Sequence, residues 1–132
     1  MRLKQSISVA IFAFIGGDLR WILQSIITPK ALFPWSTLLI NLSGTFILGI
    51  LTGGLLVRIS SSPILNIGLT SGLLGGFTTF SSFEFTNLKL LATPSHIFIG
   101  ISYMLISVFF GILLANLGQH LGEFVLKDES GW

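Results

Sequence analysis

Charge is what this sequence has least of. Lys, Arg, Asp and Glu make up 9% of its 132 residues, where a soluble domain carries roughly 25%. Five acids and seven bases cannot cover a water-facing globule, and 52% hydrophobic residues exclude disorder, which needs low hydrophobicity and high charge. Cysteine is absent, so disulfide scaffolds, thiolate metal sites and cysteine nucleophiles are absent with it. The basic residues are scattered and form no tract suited to nucleic acid. There is no zinc spacing, phosphate loop or Ser-His-Asp set, and without an acid–base pair an enzyme is not expected.

What the chain has instead is long uncharged intervals. Positions 31–57, 59–83 and 90–122 contain no Lys, Arg, Asp or Glu. Each can hold one bilayer span of about 20 apolar residues. An earlier span carries Asp18 and Arg20, with apolar flanks at Ile7–Gly17 and Trp21–Ile27. It continues past any small-residue cleavage site, so it reads as a retained first helix rather than a signal peptide. The expectation is one all-α transmembrane domain over 1–132, with four spans at about 5–27, 34–57, 63–89 and 95–125. Thr28-Pro29 ends the first, Phe33-Pro34-Trp35 marks an interface, and Ser62-Pro63 and Thr93-Pro94 each suggest a cap followed by a first-turn proline. With alternating spans, Arg2, Lys4, Arg58 and Lys127 share one side, and Lys30 and Lys89 the other. Four against two is a small positive-inside bias towards a cytoplasmic N-terminus, and so near a balance permits insertion both ways.

The third span is irregular. Gly68, Gly72, Gly75 and Gly76 lead into Thr78-Thr79-Phe80-Ser81-Ser82-Phe83-Glu84. Two readings are open. A helix broken at membrane depth frees backbone groups that protein, water or an ion must satisfy. Alternatively, the small residues only allow close helix packing.

Several polar residues inside the apolar spans are candidates for function. Arg20, two residues from Asp18, does not share its helix face and is expected to reach a vestibule or the interface. Asn41 can donate to an anion or bond a neighbouring helix. Phe80 and Phe83 share a face, and ring edges turned into a passage would favour an anion, although phenylalanine also packs in any apolar helix. Thr79, Ser81, Ser82 and Glu84 give that region a polar edge. Tyr103 and Ser107, four apart, lie on one face that Gly111 continues, and such a hydroxyl row can coordinate an ion or bind another helix. His96 and His120 have no partner at metal-ligand spacing.

On these residues the chain resembles the bacterial fluoride channels of the CrcB/Fluc family. The resemblance covers essentially the whole chain. It rests on Gly16-Gly17-Asp18-Leu19-Arg20-Trp21, on Asn41-Leu42-Ser43-Gly44, and most specifically on the run from Gly72 through Phe83. Ser82 stands where the family often has threonine, and Gly111 where a member carries a hydroxyl. The resemblance implies an antiparallel, dual-topology homodimer in the bacterial inner membrane, passively exporting fluoride in preference to chloride. It would place Arg20 in the vestibule, and Asn41, Thr79, Phe80, Ser81, Phe83, Tyr103 and Ser107 along the fluoride path. It also implies a structural sodium ion at the dimer interface, held by the main-chain carbonyls of Gly75 and Thr78. Two other functions compete: a small dual-topology exporter, which would depend on Asp18 or Glu84 as a titratable carboxylate, and a non-transporting scaffold packed through its glycines.

Overall fold

The computed structural model describes residues 2–27 and 30–129. These form an all-α bundle with long apolar helices: α1 (Arg2–Ile26), α2 (Trp35–Ile59), α3 (63–77), α4 (Phe80–Ala92) and α5 (Ile97–Glu129). Among the described residues, three helical stretches are long and apolar enough to cross a membrane: Arg2–Ile26, Trp35–Ile59 and Pro94–Asp128. The protein is thus a multi-span membrane bundle. At 1.5 Å per residue, α5 measures roughly 50 Å, longer than the hydrocarbon core of about 30 Å. The expected stop at Thr28-Pro29 lies outside the described residues.

The two proline joints differ. Ser62 caps α3, its hydroxyl accepting from the Leu65 amide at 3.4 Å, with Pro63 at the first turn. Thr93 does not cap. Its hydroxyl donates back to the Lys89 carbonyl at 3.0 Å, and Pro94–His96 forms a 3-10 turn before α5. The Thr93 side chain makes no capping bond to the helix that follows.

Two helices widen locally. In α2, Leu51–Leu55 is π-helical and includes Gly54 at φ +151°, a conformation that only glycine adopts without strain. In α3, Gly68–Leu74 is π-helical. Between α3 and α4 the chain leaves helical geometry altogether: Thr78 (ψ 159°) and Thr79 (φ −147°, ψ 118°) are extended.

Packing follows the glycines. α1 lies on α3, and α2 and α4 lie on α5. A Cβ at Gly76 would strike the Ala13 carbonyl, and one at Gly16 would strike the Leu73 carbonyl and come within 2.9 Å of the Phe77 amide nitrogen. On the other pair, Gly49, Gly53, Gly118 and Gly122 bring the backbones of α2 and α5 together. Apolar tails of lipid offer no hydrophobic drive to association, so close backbone approach is the means of holding such helices. The buried side chains are few: Leu38, Leu90 and Tyr103 form a small core, with Phe33, Leu42, Phe83, Ile99 and Ile106 packed around it. Large apolar residues such as Phe14, Trp21, Phe98, Leu105 and Phe109 face outward, as a lipid-facing surface requires.

Gly16 and its neighbour Gly17 make a controlled pair, because a Cβ at Gly17 meets nothing within 4 Å. Gly16→Ala is expected to lower stability by about 1–3 kcal/mol through overpacking against backbone. Gly17→Ala is expected to leave it unchanged or raise it by up to about 1 kcal/mol. Thermal unfolding of the two variants in detergent checks this, and equal losses would mean that α1 does not dock on α3 through Gly16.

Candidate functional site

The extended residues between α3 and α4 are held by one side chain. Asn41 of α2 donates from Nδ2 to the Thr79 carbonyl at 2.9 Å, and its Oδ1 accepts from the Thr79 amide at 2.8 Å. The two bonds fix the orientation of the amide, since a flipped side chain would set donor against donor. Thr79 is buried at 6% exposure, so its amide, which has no helical partner, needs Asn41 Oδ1 as its acceptor. Thr79 then caps α4: its hydroxyl accepts from the Ser82 amide at 3.1 Å and donates to the Ser82 hydroxyl at 3.0 Å.

This arrangement has a consequence for the carbonyls. In a continuous helix the amide of Thr79 would bond the carbonyl of Gly75, and the amide of Ser82 that of Thr78. Asn41 and the Thr79 hydroxyl take those two amides instead. The carbonyls of Gly75 and Thr78 are therefore released from helical pairing, and Arg20 Nη1 donates to the Thr78 carbonyl at 3.4 Å from α1. Gly75 is exposed, and a Cβ there would meet nothing within 4 Å.

Around this point lies an open groove of about 390 Å³. It gathers Asn41, Gly75, Thr78, Thr79, Phe80, Phe83 and Ser107, residues from four helices and the joint between two of them, against apolar walls at Leu38, Leu42, Leu48 and Leu74. Phe80 is 74% exposed and its ring centroid lies 6.0 Å from that of Phe83. The Ser107 hydroxyl is buried and has no hydrogen-bond partner among the described residues. Tyr103, Ser81 and Arg20 stand outside the groove lining. Tyr103 is fully buried in the small core, 5.2 Å from the Phe83 ring and edge-on to Phe33 at 5.7 Å. Ser81 is exposed beside Thr79, its hydroxyl 3.4 Å from that of Thr79. Arg20 approaches from behind, through Thr78. Asp18 and Glu84 are exposed and line no part of the groove.

The groove also includes Thr45 and Thr70, which the sequence reading passed over. Thr45 lies one turn beyond Asn41 and donates to its carbonyl at 2.8 Å, and Thr70 donates to the Asn66 carbonyl at 2.9 Å. The signal for Thr45 was the four-residue spacing from Asn41. Both hydroxyl protons are used within their own helices, so these two residues turn acceptors to the groove while Ser107 keeps a donor free.

Asn41→Leu tests the anchoring of Thr79. It leaves the buried Thr79 amide without a partner, at a cost of about 1–3 kcal/mol, and the Thr79 carbonyl with only its bond as helix N-cap. The expected outcome is a clear drop in thermal stability in detergent, larger than that of Ser107→Ala, which removes no intramolecular bond. A drop no larger than that of Ser107→Ala would show that Thr79 is not held by Asn41.

Residues 7–119 match the family described as CrcB-like protein, Camphor Resistance (CrcB). The fluoride-specific ion channel FluC 2 of Bacillus licheniformis is 35% identical over 123 residues, covering 93% of this chain and 90% of the relative. FluC 1 of Ligilactobacillus salivarius is 37% identical over 118 residues, covering 89% and 98%. FluC of Xylella fastidiosa is 37% identical over 116 residues, covering 86% and 80%. The matched region includes every residue of the groove, the whole of α2, α3 and α4 and most of α1 and α5, and the chain belongs to the CrcB/FluC fluoride channel family.

Proposed function

We propose that this protein is a fluoride-selective channel, passive rather than coupled, that lets accumulated fluoride leave the bacterial cytoplasm across the inner membrane. The observation that carries the reading is the groove itself, taken with the family. It sets a free hydroxyl donor at Ser107, a second Asn41 N–H beyond the one given to Thr79, and the Phe80–Phe83 ring pair around one uncharged passage. Fluoride is small and strongly hydrated, so a dry site must offer it compact donors. Ring edges carry partial positive charge and add to them without the cost of a buried cation. Arg20, drawn to the Thr78 carbonyl, contributes a fixed positive charge that concentrates anions at the entrance. In this reading Asn41, Thr79, Phe80, Ser81, Phe83, Tyr103 and Ser107 mark the ion path, and no exposed carboxylate is needed for coupling.

The remaining architecture follows from the same constraint. Residues 63–92 serve as a third span interrupted at Thr78-Thr79, giving four spans in all. A groove lined by amide, hydroxyl and carbonyl groups cannot face hydrocarbon. A second, antiparallel copy of the chain is the proposed cover, placing two such grooves at one dimer interface. The released carbonyls of Gly75 and Thr78 fit a sodium ion there, since a hard cation takes oxygen ligands and two copies would supply four. Bound sodium would neutralise the partial charge of those oxygens and tie the two joints together.

Fluoride efflux from proteoliposomes, read with a fluoride electrode, tests the proposal. The wild type should release fluoride rapidly, and Phe80→Ile and Phe83→Ile should each slow that release at least tenfold while remaining dimeric. Replacing sodium by N-methyl-D-glucamine should lower the thermal stability of the dimer. Unchanged efflux in both variants would instead favour a path that avoids the rings, and equal stability in both buffers would remove the sodium site.

A further inference from the structure

Beyond Phe83 the α4–α5 interface holds polar groups that nothing in the fold employs. Asn87 is 5% exposed and its Oδ1 is buried without a hydrogen-bond partner; the Tyr103 hydroxyl, in a residue at 0% exposure, is likewise buried and unpartnered. Asn87 lies four residues after Phe83 and three before Leu90, on one stripe of α4. Phe83 and Leu90 both pack in the cluster that contains Tyr103, so the stripe that carries Asn87 is the one turned to Tyr103. Among the described residues the Ser107 hydroxyl, one turn further along α5, and Asn66 Oδ1 on α3 are the other two buried side-chain polar atoms without a partner.

Such groups are rare for a reason. A buried polar atom left unpaired costs about 1–3 kcal/mol, and native structures hold few of them unless water, an ion or a functional role accounts for each. The contrast with Asn41 is informative. Asn41 gives its carbonyl oxygen and one amide hydrogen to Thr79, so its role is in part structural. Asn87 holds nothing in place among the described residues. An amide that does no structural work, in an apolar bundle where leucine would fill the same space, needs a ligand to account for it.

We infer that Asn87 is a further residue of the ion path: with Tyr103 and Ser107 it forms a buried file of hydrogen-bond donors that receives fluoride as it leaves the Phe83 ring edge. The inference rests on the fluoride-channel reading and extends the path past the groove, along α4 towards the joint with α5. Three side chains supply donors in sequence, the hydroxyls of Ser107 and Tyr103 and the Nδ2 hydrogens of Asn87. An ion moving from one to the next exchanges a donor rather than losing one. Asn87 Oδ1 would accept from a water that travels with the ion.

Three variants measured in proteoliposomes decide the matter: Asn87→Leu, Asn87→Ser and, as a control on the lipid-facing side of the same helix, Leu88→Ala, where Leu88 is 67% exposed. Asn87→Leu should lower fluoride efflux at least tenfold without lowering thermal stability, because it removes an unsatisfied group. Asn87→Ser, which keeps a donor, should stay within about threefold of the wild type, as should Leu88→Ala. Wild-type efflux in a stable Asn87→Leu dimer would overturn the inference and leave the channel reading intact. Failure of the wild type to conduct fluoride would overturn both. If Asn87→Leu does not fold, efflux through Asn87→Ala serves in its place: a rate equal to that of Asn87→Ser would show that no donor is needed there.

Discussion

Every polar group of a backbone inside a bilayer must find a partner, and in this protein that demand converges on two hydrogen bonds between Asn41 and Thr79. The extended joint at Thr78-Thr79 would otherwise leave the buried Thr79 amide bare. With Asn41 in place, the joint has one stable geometry, and several other features follow from it. Thr79 is set to cap α4, which fixes the start of the helix and hence the directions of Phe80 and Phe83. The amides that would have closed on Gly75 and Thr78 are taken by side chains, which turns those carbonyls into acceptors available to Arg20 and, in the proposed dimer, to a cation.

The surrounding bundle serves this joint by close contact rather than by a large core. α1 meets α3 through Gly16, Gly72 and Gly76, just before the joint, and α2 meets α5 through Gly49, Gly53, Gly118 and Gly122. These contacts hold Asn41 on α2 and Thr79 after α3 within hydrogen-bonding distance, although they stand 38 residues apart in the chain. A bundle held by backbone contact is stiff where it is glycine-lined, and that stiffness suits the proposed ion path, whose donors must not collapse onto one another. The groove that results is uncharged but not apolar, and its apolar walls keep water from competing with its few donors.

Much of this was legible in the sequence, for identifiable reasons. Long uncharged intervals mark spans because charge is excluded from hydrocarbon, and the run from Gly72 to Phe83 is specific enough to mark the family. Asn41 and Ser107 stand out against apolar neighbours and Thr79 lies in the polar run after the glycines, and the fold gathers all three in one groove. The sequence could not show that Asn41 bonds Thr79, because a pairing between distant helices leaves no local pattern. It could not separate Ser107 in the groove from Tyr103 in the core, since the two share a helix face and differ only in what packs over them. Thr93 looked like Ser62 in sequence, yet only the serine caps, while the threonine hydroxyl bonds back to Lys89. Asn87 escaped notice since a single amide at the charged end of a span resembles an interfacial residue, and only its burial sets it apart.

The most direct test of the account is the reversal potential of purified protein in a planar bilayer, with sodium fluoride on one side and sodium chloride on the other. A selective, passive path built from uncharged donors and ring edges predicts a current whose reversal potential follows the fluoride gradient and is insensitive to a pH gradient. A reversal potential set by chloride, or one that moves with the proton gradient, would contradict it.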